Sequence, residues 1–263
     1  MSPTISIIVP VYNESKELLS ESLGSLSGQT FVDFECLLVD ESSRSESSQF
    51  CLDFTAQDKR FFYIRPEARA GLAGSLNIGL SKARGEFVAR FDADDVCEPG
   101  RFDRQIEMMR TRPDVDVMGS SLRLIDEQGE IVGERSYPCC HADIEKKFAY
   151  TNALAHPSVL VRRAAFEKYG IYDAEFRFAE DLELWLRMLK KGAHFANAAE
   201  PLIRYRIRAG GRKFSNWRYN IKARIRNIRR RFFLRQVLFI VALSIFSLLP
   251  GKIRVGAQRV IPR

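Results

Sequence analysis

The sequence predicts an α/β fold whose sheet is mainly parallel and covered by helices on both faces. Three observations predict it. Four short apolar runs, "TISIIVPVYN", "FECLLVD", "FFYI" and "EFVARFD", recur in the first part of the chain. Helical patterns at 14–26, 46–57 and 72–83 separate them, the arrangement that feeds right-handed crossovers. The runs are nearly continuous in apolar residues instead of alternating, as strands buried on both faces require. At 263 residues, 46% hydrophobic and 28% charged, the chain can bury a full core and is read as one domain with an appendage.

Each element has a local cause. "TISIIVPVYN" is ended as a strand by Pro10 and Asn13, and "FECLLVD" by the acid Asp40 and a serine-rich polar loop that feeds the next helix. After Pro99 the pattern changes: a helix at 101–110, then a strand pair around a turn at 126–129, so antiparallel strands join the sheet. A short helix, a strand in "HPSVLVRR" and the helix "EDLELWLRMLKK" follow. On that helix Leu182, Trp185, Leu186 and Leu189 fall at i, i+3, i+4 and i+7 and form a core face.

Charge divides the chain. Residues 212–263 carry 14 Lys/Arg and no Asp/Glu, leaving 27 basic against 33 acidic residues in 1–211. The expected division is therefore a body at 1–211 and a basic extension at 212–263. Within the extension Phe214, Trp217, Ile221, Ile225, Ile228 and Phe232 step along one helical face, with Arg218, Lys222, Arg224, Arg226 and Arg229 to Arg231 around it. The apolar run "VLFIVALSIFSLL" at 237–249 would be about 20 Å long as a helix, short of about 30 Å of hydrocarbon. The pattern fits a peripheral or monotopic anchor, with residues 212–249 meeting an anionic membrane surface; simple packing of 237–249 on the body is the competing reading. Nucleic acid is not expected, because the apolar run stands beside the charge.

The five cysteines are odd in number and lack a C-x-x-C spacing, which favours reduced thiols. Cys139, Cys140 and His141 are poorly spaced for a metal. The N-terminus enters a strand directly, with no secretory signal visible. Together with the basic extension, these features place the protein on the cytoplasmic face of the inner (plasma) membrane.

Ligands of open α/β sheets bind at the carboxyl ends of strands. Glu14, Asp40 and the group Asp92, Asp94 and Asp95 all fall there. Carboxylates converging without nearby Cys or His are hard-cation chemistry, Mg²⁺ or Mn²⁺, and such ions share their shell with water and substrate phosphates. A bare D-x-D is weak: Asp114 and Asp116 repeat the spacing at the entry of a strand, where a solvated edge explains them.

In order along residues 4–206, "SIIVPVYNE", "LLVDESS", "RAGLAGSLNIGLSKARGEFVARFDADD", "HPSVLVRR" and "FAEDLELWLRML" resemble the motifs of family 2 glycosyltransferases. The resemblance implies the GT-A fold, a Rossmann-like mixed sheet, and a nucleotide-sugar donor. It implies that Pro10, Tyr12 and Glu14 line the nucleotide pocket and that Asp40 accepts from the base, uracil in most relatives. It further implies that Asp92 lies against ribose and metal, that Asp94 ligates the metal, and that Asp181 is the general base.

Local readings compete. Asp40 could cap a helix, Tyr12 could be a core aromatic, and Asp181 could merely favour a helix N-terminus. Arg69 faces either donor or solvent, Asn77 either pocket or backbone, and Glu180 is either structural or an acceptor contact. Relatives often carry a His shortly after a "YR" pair; here Arg208 stands there, unable to ligate a metal but shaped for a diphosphate, or simply solvated.

The chemistry implied is inverting transfer of a sugar to a hydroxyl of a saccharide, plausibly lipid-linked, in surface polysaccharide assembly. A nucleotidyltransferase would use similar carboxylates but favour a Gly-rich, Lys-bearing phosphate loop, which is not found. A non-catalytic sugar-nucleotide scaffold would be expected to lose Asp92, Asp94 or Asp181.

Overall fold

The computed structural model describes residues 2–207 and 217–248, and Arg208, Phe214 and the division at 211/212 lie outside them. Strands β1 (Ile5–Val11), β2 (Phe34–Asp40), β3 (Phe61–Ile64) and β4 (Phe87–Arg90) pair in parallel in the order β3-β2-β1-β4. Helices α1 (Lys16–Ser27), α2 (Ser45–Gln57) and α3 (Gly71–Lys82) make the crossovers. The Rossmann-like half is thus as the apolar runs predict.

Beyond β4 the sheet turns mixed. After the short β5 (Val96–Cys97) and α4 (Arg101–Thr111), strands β6 (Val117–Ile125) and β7 (Ile131–Arg135) form the predicted hairpin. Gly129 N–H donates to Asp126 O at 3.2 Å in its turn. Helix α5 (His141–Phe148), strand β8 (Leu160–Arg162), helices α6 (Arg163–Tyr169) and α7 (Glu180–Lys190), and strand β9 (Phe195–Arg206) complete the body. β8 is antiparallel to both β4 and β6, and β9 runs parallel to β6 and antiparallel to β5.

Alternation along β1 divides two cores. Ile7 and Val9 face α1 and α4, where Leu19, Leu23, Phe102 and Ile106 are buried. Ile8 faces the opposite side, where Leu76, Phe166, Trp185 and Leu186 are buried. The predicted face of α7 is fully in the core, and Leu184 and Met188 are buried beside it, so the helix is enclosed on most sides.

The extension differs from a single amphipathic helix. α8 (Trp217–Arg226) ends, a turn intervenes, and α9 (Phe233–Leu248) follows. α8 buries Ala223 and Arg224, while Ile225 of the expected apolar stripe is 55% exposed. The physical reason is hydrogen bonding: Arg224 donates to Phe148 O at 2.9 Å and Tyr150 O at 3.0 Å. Arg226 pairs with Asp173 and Glu175, Lys222 with Glu175, and Arg229 and Arg231 with the buried Glu145. Much of the positive charge thus neutralises acids of the body, and less of it remains for an outside surface than the sequence implies. No described helix is long and apolar enough to cross a membrane.

Candidate active site

Because β2, β1 and β4 are parallel neighbours, their carboxyl ends bring three loops to one edge of the sheet. Asn13, at a left-handed φ of 64°, joins two of them: its Oδ1 accepts from Ser43 N and Arg44 N, both at 2.9 Å. The loop after β3 is held from Glu41, whose carboxylate accepts from Ala70 N at 2.7 Å and Gly71 N at 3.0 Å. Gly71 has a φ of +70°, which only glycine adopts without strain, and it opens α3.

Tyr12 is exposed at the end of β1, not in the core, and the Arg69 guanidinium lies 4.0 Å above its ring centre. The pair forms a flat, cationic platform. Pro10 is partly buried at the strand end, and Glu14 accepts from Tyr12 N at 2.6 Å, shaping this loop.

Asp40 is fully buried. Its carboxylate accepts from Ser42 N at 2.8 Å, Ser48 Oγ at 2.5 Å, Tyr63 OH at 2.8 Å and Arg65 Nη1 at 3.0 Å. Burial alone would raise its proton affinity, but donation from Ser42, Ser48 and Tyr63 outweighs burial and holds the carboxyl below its usual range. Only Arg65 reaches it from a half-exposed side chain.

Asp92 and Asp94 follow β4, and both are partly exposed. Asp92 is gripped by both terminal nitrogens of Arg90, which is itself buried. Asp95 is different. It is buried, one oxygen accepts from Arg206 N at 2.9 Å, and the other has no hydrogen-bond partner among the described residues. Burial, with Asp92 and Asp94 adjacent, pushes its carboxyl well above the usual range. Arg206 Nε also donates to Asp94 O at 2.9 Å, so the end of β9 fastens this turn.

Among the described residues no three His, Cys, Asp or Glu side chains gather as a metal cluster. Two partly exposed carboxylates on one turn fit a hard cation that takes its other ligands from phosphate and water. The Cys139, Cys140 and His141 group holds no such cluster either. Asp114 and Asp116 stand at the entry of β6, where Asp116 accepts from His194 N at 2.9 Å, away from this edge.

Asp181 begins α7 and accepts from Asn152 Nδ2 at 2.7 Å. The loop before α7 is anchored by Tyr172. Its backbone is clasped by Asn77, which donates to Tyr172 O at 2.8 Å and accepts from Tyr172 N at 3.1 Å. Of the two directions open to the Asn77 amide, it turns here to backbone, that of Tyr172. Tyr172 OH lies 2.9 Å from His156 Nε2, and His156 Nδ1 is 3.9 Å from the buried Glu180. Burial raises the Tyr172 hydroxyl strongly, Arg90 opposes this, and Asp181, Glu180 and Asp92 reinforce it.

Sequence reasoning missed Asn13, Arg65, Arg90, Asn152, His156 and Arg206. Arg90 carried a signal: a charged residue inside an apolar strand must find a partner. Asn152 carried none.

The model of the glycosyl transferase family 2 matches residues 6–170. The amylovoran biosynthesis glycosyltransferase AmsE of Erwinia amylovora is 32% identical over 239 residues, covering 89% of this chain and 88% of that protein. The O-antigen biosynthesis glycosyltransferase WbnJ of Escherichia coli is 32% identical over 206 residues, covering 77% and 79%. Among solved structures, S. aureus TarS 1–349 in complex with UDP-GlcNAc superposes with a TM-score of 0.71 at 17% identity, covering 96% of this chain and 77% of that one. That likeness carries the GT-A fold alone. A family match across more than half of the chain, with relatives at this identity over most of their length, establishes that the chain belongs to glycosyl transferase family 2 and is a glycosyltransferase.

Proposed function

We propose that the protein moves a sugar from a uridine diphosphate donor to a hydroxyl of a lipid-linked saccharide, with inversion, at the cytoplasmic face of a membrane. The observation that carries this reading is the shared carboxyl edge of β1, β2 and β4, which brings the Tyr12 and Arg69 platform, Asp40, Asp92 and Asp94 to one side of the sheet. The names of AmsE and WbnJ support a polysaccharide product. TarS, solved with UDP-GlcNAc and with UDP, supports the donor class.

The Tyr12 and Arg69 platform stacks the base, with Pro10 and Glu14 shaping the loop beneath it. Asp40 accepts the base N–H once the half-exposed Arg65 yields its place. Asp94, with Asp92, would hold Mg²⁺ or Mn²⁺, which when bound neutralises charge on the leaving diphosphate. Arg90 grips and orients Asp92 from behind. Arg208 is assigned to the diphosphate from the family resemblance alone.

Asp181 has one oxygen fixed by Asn152 and offers the other to the acceptor hydroxyl. As the acceptor oxygen bonds to the anomeric carbon, the bond to the diphosphate oxygen breaks and the proton passes to Asp181. One displacement with one base inverts the centre. Glu180 contributes to the acceptor side through His156.

The test is Asp181→Asn with a panel of nucleotide sugars, with and without Mn²⁺. The expected outcome is loss of transfer with the donor-induced rise in melting temperature retained. Full turnover in that variant would overturn the assignment of the base.

A further inference from the structure

α9 is covered on one face only. Gln236, Ile240 and Leu243 are buried at i, i+4 and i+7. Leu234, Leu238, Val241 and Ile245 stand outward at i, i+4, i+7 and i+11, exposed by 74%, 68%, 50% and 59%. Arg230, Arg231 and Arg235 are exposed at the amino end of this stripe. Residues 217–248 contain no Asp or Glu. A covering partner must therefore offer apolar matter along the helix and negative charge at one end. A bilayer with anionic headgroups offers both. The 16 residues of α9 make a helix of about 24 Å, pinned along its inner face, so it lies flat.

The extension also borders the acceptor side of the cleft. Tyr150 packs its ring 6.0 Å from Phe239 of α9, and two residues later Asn152 holds Asp181. Phe178 packs 5.8 Å from Tyr219 of α8, three residues before Asp181. Lys222 and Arg226 tie α8 to Glu175 and Asp173 of the same loop. Whatever seats α9 also sets the direction in which Asp181 faces.

We infer that the outward stripe of α9, with Arg230 and Arg235, seats in the interface of an anionic bilayer and turns the Asp181 side of the molecule towards an acceptor held in that membrane. This rests on the membrane-bound reading and names the surface that performs it, α9 in place of the basic face of α8.

The test is flotation of the full chain with vesicles of phosphatidylcholine alone or mixed with phosphatidylglycerol, comparing wild type with the Leu234→Asp/Leu238→Asp double variant. The UDP-induced melting shift is measured in parallel to report folding and donor binding. Wild type is expected to float with the anionic vesicles, and the double variant to float less by about tenfold, with its UDP shift unchanged. A wild type that stays down with both vesicle types overturns the membrane reading itself. Equal flotation of the double variant leaves that reading standing and overturns the assignment to α9. A wild-type dimer that the double variant converts to a monomer assigns the stripe to a second copy and overturns the inference.

Discussion

Asn152 donates its side-chain amide to Oδ2 of Asp181 at 2.7 Å. The contact fixes the direction of a carboxylate that the helix alone would leave free to rotate. Asn152→Ala is expected to lower kcat about tenfold or more while leaving donor KM unchanged, because only the proposed proton acceptor loses its orientation. Asn152→Asp, which sets a second carboxylate against the first, is expected to be worse. Steady-state kinetics with varied donor checks both, and a rise in donor KM with unchanged kcat would contradict the role.

Arg90 and Asp92 form a forked ion pair at the end of β4, with Arg90 buried and Asp92 27% exposed on its side chain. Arg90→Gln leaves Asp92 without its counter-charge next to the buried Asp95. The expected result is a loss of about 2–4 kcal/mol in stability and a large fall in activity. Arg90→Lys keeps the charge without the fork and is expected to recover part of the stability but little activity. Chemical denaturation together with transfer assays separates the two effects.

The Tyr12 and Arg69 platform predicts weakened nucleotide binding. Tyr12→Ala and Arg69→Ala should each raise the UDP dissociation constant by about 3- to 10-fold, near 1 kcal/mol. Because the two groups act on one face, the double variant should lose less than the product of the single effects. Calorimetric titration of UDP reads this directly.

Acid should unfold the protein partly through Asp58. Arg60 donates to both of its oxygens, at 3.0 and 2.6 Å, and Ser27 adds a third bond at 2.8 Å. Arg60 is the main cause, and the carboxyl is held down at about 2. A folded-state value below the unfolded one contributes stability that is present above about pH 4. That stability is lost as pH falls towards 2. Asp40 is lowered too and acts in the same direction. Melting temperature followed from pH 6 to 2 should fall more steeply in wild type than in Asp58→Asn, which is expected to start about 1 kcal/mol less stable.

Arg224 fastens the extension. Its guanidinium is buried, which lowers it to about 10, and it is spent on the carbonyls of Phe148 and Tyr150. Arg224→Met should loosen α8 from the body and speed limited proteolysis of the extension, while UDP binding to the body is retained. Unchanged proteolysis would show that the remaining ion pairs suffice to hold α8.

The parallel half of the fold was legible because each of its strands is a local apolar run and each crossover a local helical pattern. β9 was not. Asn197, Glu200 and Pro201 interrupt it, and its pairing with β6 shifts register around Ser121. Yet β9 supplies Arg206, which fastens the Asp94 and Asp95 turn. Which face of α8 turns inward is not legible for a related reason: its apolar stripe is real in the sequence, but five basic side chains of the extension meet acids and carbonyls of the body, and those bonds choose the face.

The sequence by itself determined the α/β class, the order of the motifs and which carboxylates end which strands, because strand runs, helix periodicity and turn residues are properties of neighbours in the chain. Only the tertiary structure decided that Asn77 clasps Tyr172, that Asn152 holds Asp181, that Arg90 grips Asp92 and that α9 turns four aliphatic residues to the outside. Those are choices of partner. A buried polar group takes whichever partner the packed sheet and helices place within bonding distance, and that placement depends on the whole fold.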